Sequence, residues 1–325
     1  MIKEIGNVRE AEISILAEDT IAYDTPFKGK FGLSILLELK TETFEKTILY
    51  DTNSDAEPII HNVKILGKSL GKISTIFLSH CHYDHTDGLM GILEVLDRHV
   101  YVVAHPDIFR TCLEINSDGI RDIGMAYPQS KYEEKGAIFK LSRTPLNVMT
   151  GVITSGEIER VTSFEHREDL YTIAKGELIQ DHENDDMAII LNFKEGLVIV
   201  TGCCHSGIVN TIKHAKKITG RDKIYAVVGG LHLVDADKEK IEKSAEALKE
   251  VEWVFAGHCT GLNGLIKIKS ILGERFGQIH TGSIIHLPVT NNNLPITTLP
   301  TSKRDMNRTV YVKDSNESSG NNIIL

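Results

Sequence analysis

Residues 75–89 read Thr75-Ile76-Phe77-Leu78-Ser79-His80-Cys81-His82-Tyr83-Asp84-His85-Thr86-Asp87-Gly88-Leu89. Thr75–Ser79 is a short apolar run with β-branched residues, which predicts a buried strand. It runs directly into His80-x-His82-x-Asp84-His85, where four ligand-type side chains occupy six positions. Neutral imidazoles and a carboxylate are the donors that borderline divalent ions prefer. In an extended turn, residues two apart point the same way, so His80 and His82 can grip one ion. Asp84 and His85 then face a neighbouring position, where a second ion fits.

Three more predicted strands end in the same way. Leu197–Thr201 leads to Gly202-Cys203-Cys204-His205, Lys223–Val228 to Gly229-Gly230-Leu231-His232, and Glu252–Ala256 to Gly257-His258-Cys259-Thr260-Gly261. Sites in sheet-based folds are built from loops at one end of the strands. Repeated use of strand, small residue and histidine therefore argues for convergence on a shared centre.

The surrounding chain alternates strands and helices. Leu33–Leu39, Thr47–Tyr50 and Val100–Ala104 read as strands. Glu57–Leu70 carries Ile59, Val63, Leu66 and Leu70 on one helical face, and Leu89–Leu96 suggests a second helix. From Pro106 to Asp186 the periodicity is weak, as expected of long loops and short strands with room for a lid. Met187–Phe193 and Leu197–Thr201 flank Lys194-Glu195-Gly196 as a hairpin. Ile208–Thr219, Asp237–Val251 and Leu262–Leu272 are predicted helices, the first and last stopped by Gly220 and Gly273. Residues 287–325 are rich in Asn, Thr, Ser, Pro and charge, and read as a partly ordered polar tail. The fold class expected is α+β, with mixed sheets covered by helices in one domain over residues 1–286.

Composition bounds the function. The 325 residues hold 36 Lys plus Arg against 45 Asp plus Glu, a net charge of −9. That balance argues against nucleic-acid binding through a broad basic surface. No run approaches the roughly 18 apolar residues of a membrane span. The N-terminus lacks the apolar core of a secretory signal, so a cytoplasmic location is expected. The five cysteines do not look like a disulfide framework, and four of them sit beside a histidine or one residue from it.

These motifs, in this order, resemble the metallo-β-lactamase superfamily. The resemblance implies an αββα sandwich with one or two metal ions held by loops at one edge of the sheets. Tyr50-Asp51-Thr52 is similar to that superfamily's Asp-Thr-Gly turn, with Asn53 where glycine is usual; Asn tolerates positive φ. The closer resemblance is to one subgroup. It rests on Leu78–Leu89, Asp185-Asp186-x-Ala188, Thr201-Gly202-Cys203-x-His205-x-Gly207-Ile208-Val209-Asn210, Gly229-Gly230-x-His232-Leu233 and Gly257–Gly261. Phe31-Gly32-Leu33-Ser34 also resembles a strand of that subgroup, with Lys30 near the position of its missing histidine. The subgroup is named for the archaeal 7,8-dihydropterin-6-methyl-4-(β-D-ribofuranosyl)-aminobenzene-5′-phosphate synthase. That enzyme joins a dihydropterin methyl diphosphate to a ribofuranosylaminobenzene phosphate.

Carried over by position, the resemblance implies His80, His82 and His205 at a first metal and Asp84, His85 and His258 at a second. The superfamily's bridging Asp follows a Gly, but here Gly202 is followed by Cys203. The bridge then falls to Asp186, to Cys203 or Cys204, or the second site is weak, with Asp186 preferred. The cofactors expected are two divalent ions, zinc first, with manganese or iron as alternatives. His232 and Thr260 are candidate substrate contacts, each balanced by a bland reading as a buried hydrogen-bonded residue and a capping turn. The function expected is a metal-dependent enzyme acting on a phosphorylated small molecule, with neither nucleic acid nor membrane as partner. It would be a synthase-like transferase or a phosphoester hydrolase, with Asp84 both ligand and proton handler. The rivals are an iron-binding redox or sensor protein on the same fold and a non-catalytic binding module.

Overall fold

The computed structural model describes residues 5–165, 170–289 and 296–298. Its layering follows from strands that are apolar on both faces. In Glu45–Tyr50, Ile48 and Tyr50 face one way and Leu49 the other, and all three are fully buried. Ser34–Lys40 repeats this with Ile35 and Leu37 opposed to Leu36. Such strands need cover on both sides.

The inner faces of two sheets supply one cover. Ile13, Ile15, Ile35, Leu37, Ile48, Tyr50 and Phe77 of one sheet pack against Ile189, Leu191, Val198, Val200, Val228 and Phe255 of the other. Helices supply the rest. Ala56–Ile65 and Leu89–Leu96 bring Ile59, Val63, Leu89, Ile92 and Leu93 onto Leu36, Leu49, Ile76 and Val102. On the opposite side, Ile208–Thr219, Lys238–Ala247 and Gly261–Leu272 bury Ile208, Ile212, Ala215, Ala245, Ile268 and Leu272 over Ile190, Ile199, Val227 and Val254. The result is the αββα sandwich expected.

The first sheet has eight strands in the order Ile296–Thr298, Ser283–Leu287, Glu10–Ala17, Ser34–Lys40, Glu45–Tyr50, Ile73–Phe77, Val100–Ala104 and Ala137–Leu141. The second has seven, in the order Phe276–Gln278, Trp253–Gly257, Ile224–Gly230, Gly196–Thr201, Ile189–Phe193, Val152–Thr154 and Asn147–Met149. The weakly periodic middle of the chain contributes a small antiparallel sheet from Leu113–Asn116, Gly119–Asp122, Leu170–Ala174 and Glu177–Gln180.

The predicted hairpin is present, with Ile189 opposite Val200 and Phe193 opposite Gly196. Two helices are shorter than their apolar periodicity suggests. The first stops at Ile65, because Gly67 turns the chain at φ +67° before a separate turn at Leu70–Lys72. The second ends at Ala247 and tightens into a 3₁₀ turn at Leu248–Glu250. The strand Glu10–Ala17 was not anticipated. Its acidic residues obscure the apolar pattern: Glu12 lies directly opposite Glu38, and Lys68 pairs with both carboxylates. At the C-terminal end the sheet continues through Leu287, and Ile296–Thr298 adds a further strand. The rest of the expected tail lies outside the described residues. Among the described residues, no helix is long and apolar enough to cross a membrane.

The sandwich interior carries the stability. Leu37→Ala, at a fully buried position between the sheets, should cost about 2–5 kcal/mol, whereas Leu178→Ala on the small sheet, 53% exposed, should stay within about 0.5 kcal/mol. Urea unfolding followed by circular dichroism measures both. Equal shifts in midpoint would contradict this layering.

Candidate metal centre

Gly196–Thr201, Ile224–Gly230 and Trp253–Gly257 are neighbouring parallel strands, with Thr201 opposite Gly229 and Gly230 opposite Gly257. Three histidine-bearing turns therefore leave the second sheet at one edge. The turn after Ile73–Phe77 meets them from the first sheet. Glycine makes the approach close enough. A Cβ on Gly202 would lie 2.2 Å from Ser79 Oγ, and one on Gly230 would lie 2.4 Å from the carbonyl of Gly202. The turns are also tightly wound: Asp51, Asn53, Cys204, His232 and His258 all have φ between +42° and +63°. Non-glycine residues in this conformation concentrate at functional sites, where surrounding structure enforces it. Asn53 tolerates its φ of +57° as expected.

The ligand-type side chains gather into overlapping groups, each with its donor atoms within 4.8 Å of one another. Asp84, His85, Cys203 and His258 form one group. His80, Cys203 and His205 form a second, and His82, Glu183 and His205 a third. The imidazoles of His80, His82 and His205 lie edge to face with centroids 4.5–4.8 Å apart. Cys203 belongs to both the first and the second group, and its Sγ lies 3.1 Å from His85 Nε2 and 3.3 Å from His258 Nε2. It also belongs to a further group with His232 and Cys259.

Buried partners aim these rings. Asp51 Oδ1 accepts from the Ser79 amide and Oδ2 from Ser79 Oγ, both at 2.7 Å; Oδ2 also lies 2.7 Å from His85 Nδ1. Ser79 Oγ in turn lies 2.8 Å from His80 Nδ1. Asp19 Oδ1 is 3.0 Å from His258 Nδ1, and Glu18 Oε1 accepts from the His258 amide. Glu183 Oε1 is 2.6 Å from His205 Nδ1. Ser79, Asp51 and Asp19 thus engage Nδ1 of His80, His85 and His258, the usual support of a metal-binding imidazole, and His85 and His258 turn Nε2 toward Cys203. Behind the loop, Asp185 accepts from the Cys81 amide and pairs with Arg110, which also pairs with Asp181.

The electrostatics of the two sides differ: burial pushes His85 and His258 down, but the anionic groups beside them outweigh it and raise His85 to about 9 and His258 well above its ordinary range. Burial pushes the His82 imidazole down to about 3 and His80 well below its ordinary range, so both are neutral, the ligating form. Burial pushes the Asp84 carboxyl up, but His85 and His258 beside it more than offset this and hold it well below the usual carboxylate range. His80 Nε2 and His82 Nε2 are buried and make no hydrogen bond. An orphaned buried nitrogen costs about 1–3 kcal/mol. Two such nitrogens, on rings whose centroids are 4.5 Å apart, fit a divalent ion as the missing partner.

The sequence-predicted residues divide clearly. Asp84, His85 and His258 fall in one group, whereas His80 and His82 fall in two different groups that share His205. Asp186 is not in any of these groups among the described residues; its Oδ2 accepts from the Ser206 amide at 2.7 Å. Cys204 Sγ turns toward Thr211 Oγ1 at 3.4 Å, away from the centre. Cys203 therefore occupies the place between the two halves. His232 stands against His205, with ring centroids 4.2 Å apart. Thr260 is fully buried and its Oγ1 accepts from the Leu231 amide, which braces the His232 turn. Asp19, Glu18 and Glu183 were not anticipated. Glu18-Asp19 directly follows a strand that its own charges obscure, and Glu183 lies among several acidic residues with nothing local to single it out.

If Asp51 aims both halves, Asp51→Asn should weaken metal binding by roughly 10–100-fold without unfolding the sandwich. Competitive titration against a chromophoric chelator measures this, and unchanged affinity would remove the orienting role.

The comparisons with known proteins agree with this architecture. The family described as "Beta-lactamase superfamily domain" matches residues 46–115, which include the His80–His85 turn. The chain is 38% identical to 7,8-dihydropterin-6-methyl-4-(β-D-ribofuranosyl)-aminobenzene-5′-phosphate synthase of Methanocaldococcus jannaschii over 292 residues, covering 88% of this chain and 99% of the relative. It is 31% identical to an uncharacterised protein of the same organism, covering 84% of this chain and 99% of that one. Among solved structures it is similar to a metal-dependent hydrolase of the beta-lactamase superfamily, with TM-score 0.72 and 23% identity over 86% of this chain and 100% of that chain. The chain therefore belongs to the metallo-β-lactamase superfamily, in the subgroup that holds the dihydropterin–ribofuranosylaminobenzene phosphate synthase.

Proposed function

We propose that this chain is a metal-dependent transferase that joins a dihydropterin methyl diphosphate to a ribofuranosylaminobenzene phosphate. The observation that carries this reading is the pair of donor groups meeting at Cys203. The synthase named among its relatives, similar along nearly its whole length, supports the choice of reaction. His80, His82 and His205 would hold one divalent ion and Asp84, His85 and His258 the other, with Cys203 between them. Bound there, such ions neutralise the negative charge that develops on a leaving diphosphate.

The chain's own residues account for the remaining steps. The amine nitrogen of the aminobenzene attacks the methylene carbon, so a C–N bond forms. The C–O bond to diphosphate breaks, and its electron pair leaves with the diphosphate. Asp84 is the residue assigned to take the proton that the amine loses, its carboxylate lying 3.4 Å from both His85 Nε2 and His258 Nε2 at the centre. Asp51, Ser79, Asp19 and Glu183 hold the imidazoles in place, so little reorganisation is needed during reaction. With water in place of the amine, the same arrangement would release diphosphate by hydrolysis.

Metal-loaded protein, incubated with 6-hydroxymethyl-7,8-dihydropterin diphosphate and 4-(β-D-ribofuranosyl)aminobenzene 5′-phosphate, should yield the condensed product by mass spectrometry. His82→Ala should lower that turnover by roughly a hundredfold or more, with an unchanged circular dichroism spectrum. Diphosphate release without the condensed product would move the assignment to hydrolysis. Wild-type turnover in the variant would overturn the metal-dependent reading.

A further inference from the structure

Phe31 is 52% exposed, yet the backbone around it is held by several hydrogen bonds. The preceding Lys30 amide donates to the Glu18 carbonyl, and the Lys30 carbonyl accepts from Asn53 Nδ2. The Phe31 carbonyl accepts from Ser54 Oγ, the Gly32 amide donates to Asp19 Oδ1, and the Leu33 amide donates to the Asp84 carbonyl. Gly32 is required there, because at φ +116° a Cβ would lie 2.0 Å from the Asp84 carbonyl oxygen. The chain thus holds an apolar ring in water on a loop that has little freedom to withdraw it.

The place of the ring gives it a use. Its centroid is 5.9 Å from the imidazole of His258 and 6.0 Å from the ring of Tyr83, which immediately precedes Asp84. Asp19 Oδ1 contacts both His258 Nδ1 and the Gly32 amide, so one carboxylate sets the distance between the metal-ligand candidate and the exposed ring. Tyr83 is already covered by the guanidinium of Arg121, 5.7 Å from its ring centroid. Arg121 in turn donates to Glu114. Phe31 is the ring of this set that stays exposed. Other exposed aromatics, such as Tyr23 and Phe44, have no ring contact with a histidine of the centre among the described residues.

We infer that Phe31, backed by Tyr83, is the wall of the site that stacks on the planar ring of the substrate and sets its reactive group toward the donor cluster. This rests on the proposed reaction for the ring's identity as a pterin. The physical basis is general: an exposed aromatic face fixed at the edge of a polar centre binds flat heteroaromatic rings by offset stacking. Phe31 binds and orients the substrate ring, while the chemistry takes place on other groups.

The test uses two probes on metal-loaded full-length protein, each measured by isothermal titration. One is 6-hydroxymethyl-7,8-dihydropterin, which has the ring without phosphate. The other is inorganic diphosphate, which has the charge without a ring. Phe31→Ala and Phe31→Leu should each weaken the pterin probe by roughly tenfold or more, the range one stacked ring supplies. Phe31→Trp should restore binding, and diphosphate affinity and metal content should be the same in all four proteins. Pterin binding that is equal in wild type and Phe31→Ala, or absent from the wild type, would overturn the wall. Stacking that follows Phe31 in a protein that does not bind diphosphate would keep the wall and remove the proposed reaction instead.

Discussion

One buried carboxylate organises this centre. Asp51 ends the strand Glu45–Tyr50 in a left-handed turn and is fully buried. It accepts two hydrogen bonds from Ser79 and contacts the Nδ1 of His85. Through Ser79 it also reaches His80. One residue thereby ties a central strand to both ends of the His80–His85 turn. Such a group, removed from water, is tolerable only when its lone pairs are satisfied, and the turn satisfies them. Folding the sandwich and aiming the imidazoles are consequently one event.

The second feature is a thiol where the superfamily places a carboxylate. Cys203 follows Gly202, whose missing side chain lets the loop lie against Ser79 and Asp51. Its sulfur is the atom that the Asp84 side and the His80 side have in common. A thiolate is a softer donor than a carboxylate and favours zinc or iron over magnesium or calcium. Cys259 and His232 form a further group with the same sulfur. Asp186 is occupied with the Ser206 amide, so its role is to hold the loop that carries His205.

The central part of this arrangement was legible in the chain because it is local. His80, His82, Asp84 and His85 lie within six residues, and strands buried on both faces read as continuous apolar runs. Convergence of the other histidine turns was legible from their shared punctuation. The choice between Asp186 and Cys203 was not, because it depends on which of two nearby side chains a backbone amide captures. Asp19 and Glu183 were illegible for a related reason. Asp19 meets His258 across 239 positions of sequence, and an acidic residue among other acidic residues carries no mark of its partner. Phe31 sat in a recognisable motif, but only the packing shows that its ring is left in water beside His258.

On the proposed reading, the Cys203 sulfur would be the atom shared by two ions. X-ray absorption at the metal edge, on protein purified without added metal and with metal content measured in parallel, addresses this directly. About two ions per chain are predicted, with sulfur at roughly 2.3 Å among nitrogen and oxygen at roughly 2.0–2.2 Å, and loss of that sulfur shell in Cys203→Ser. Nitrogen and oxygen neighbours alone in the wild type, or a sulfur shell that survives the substitution, would contradict it.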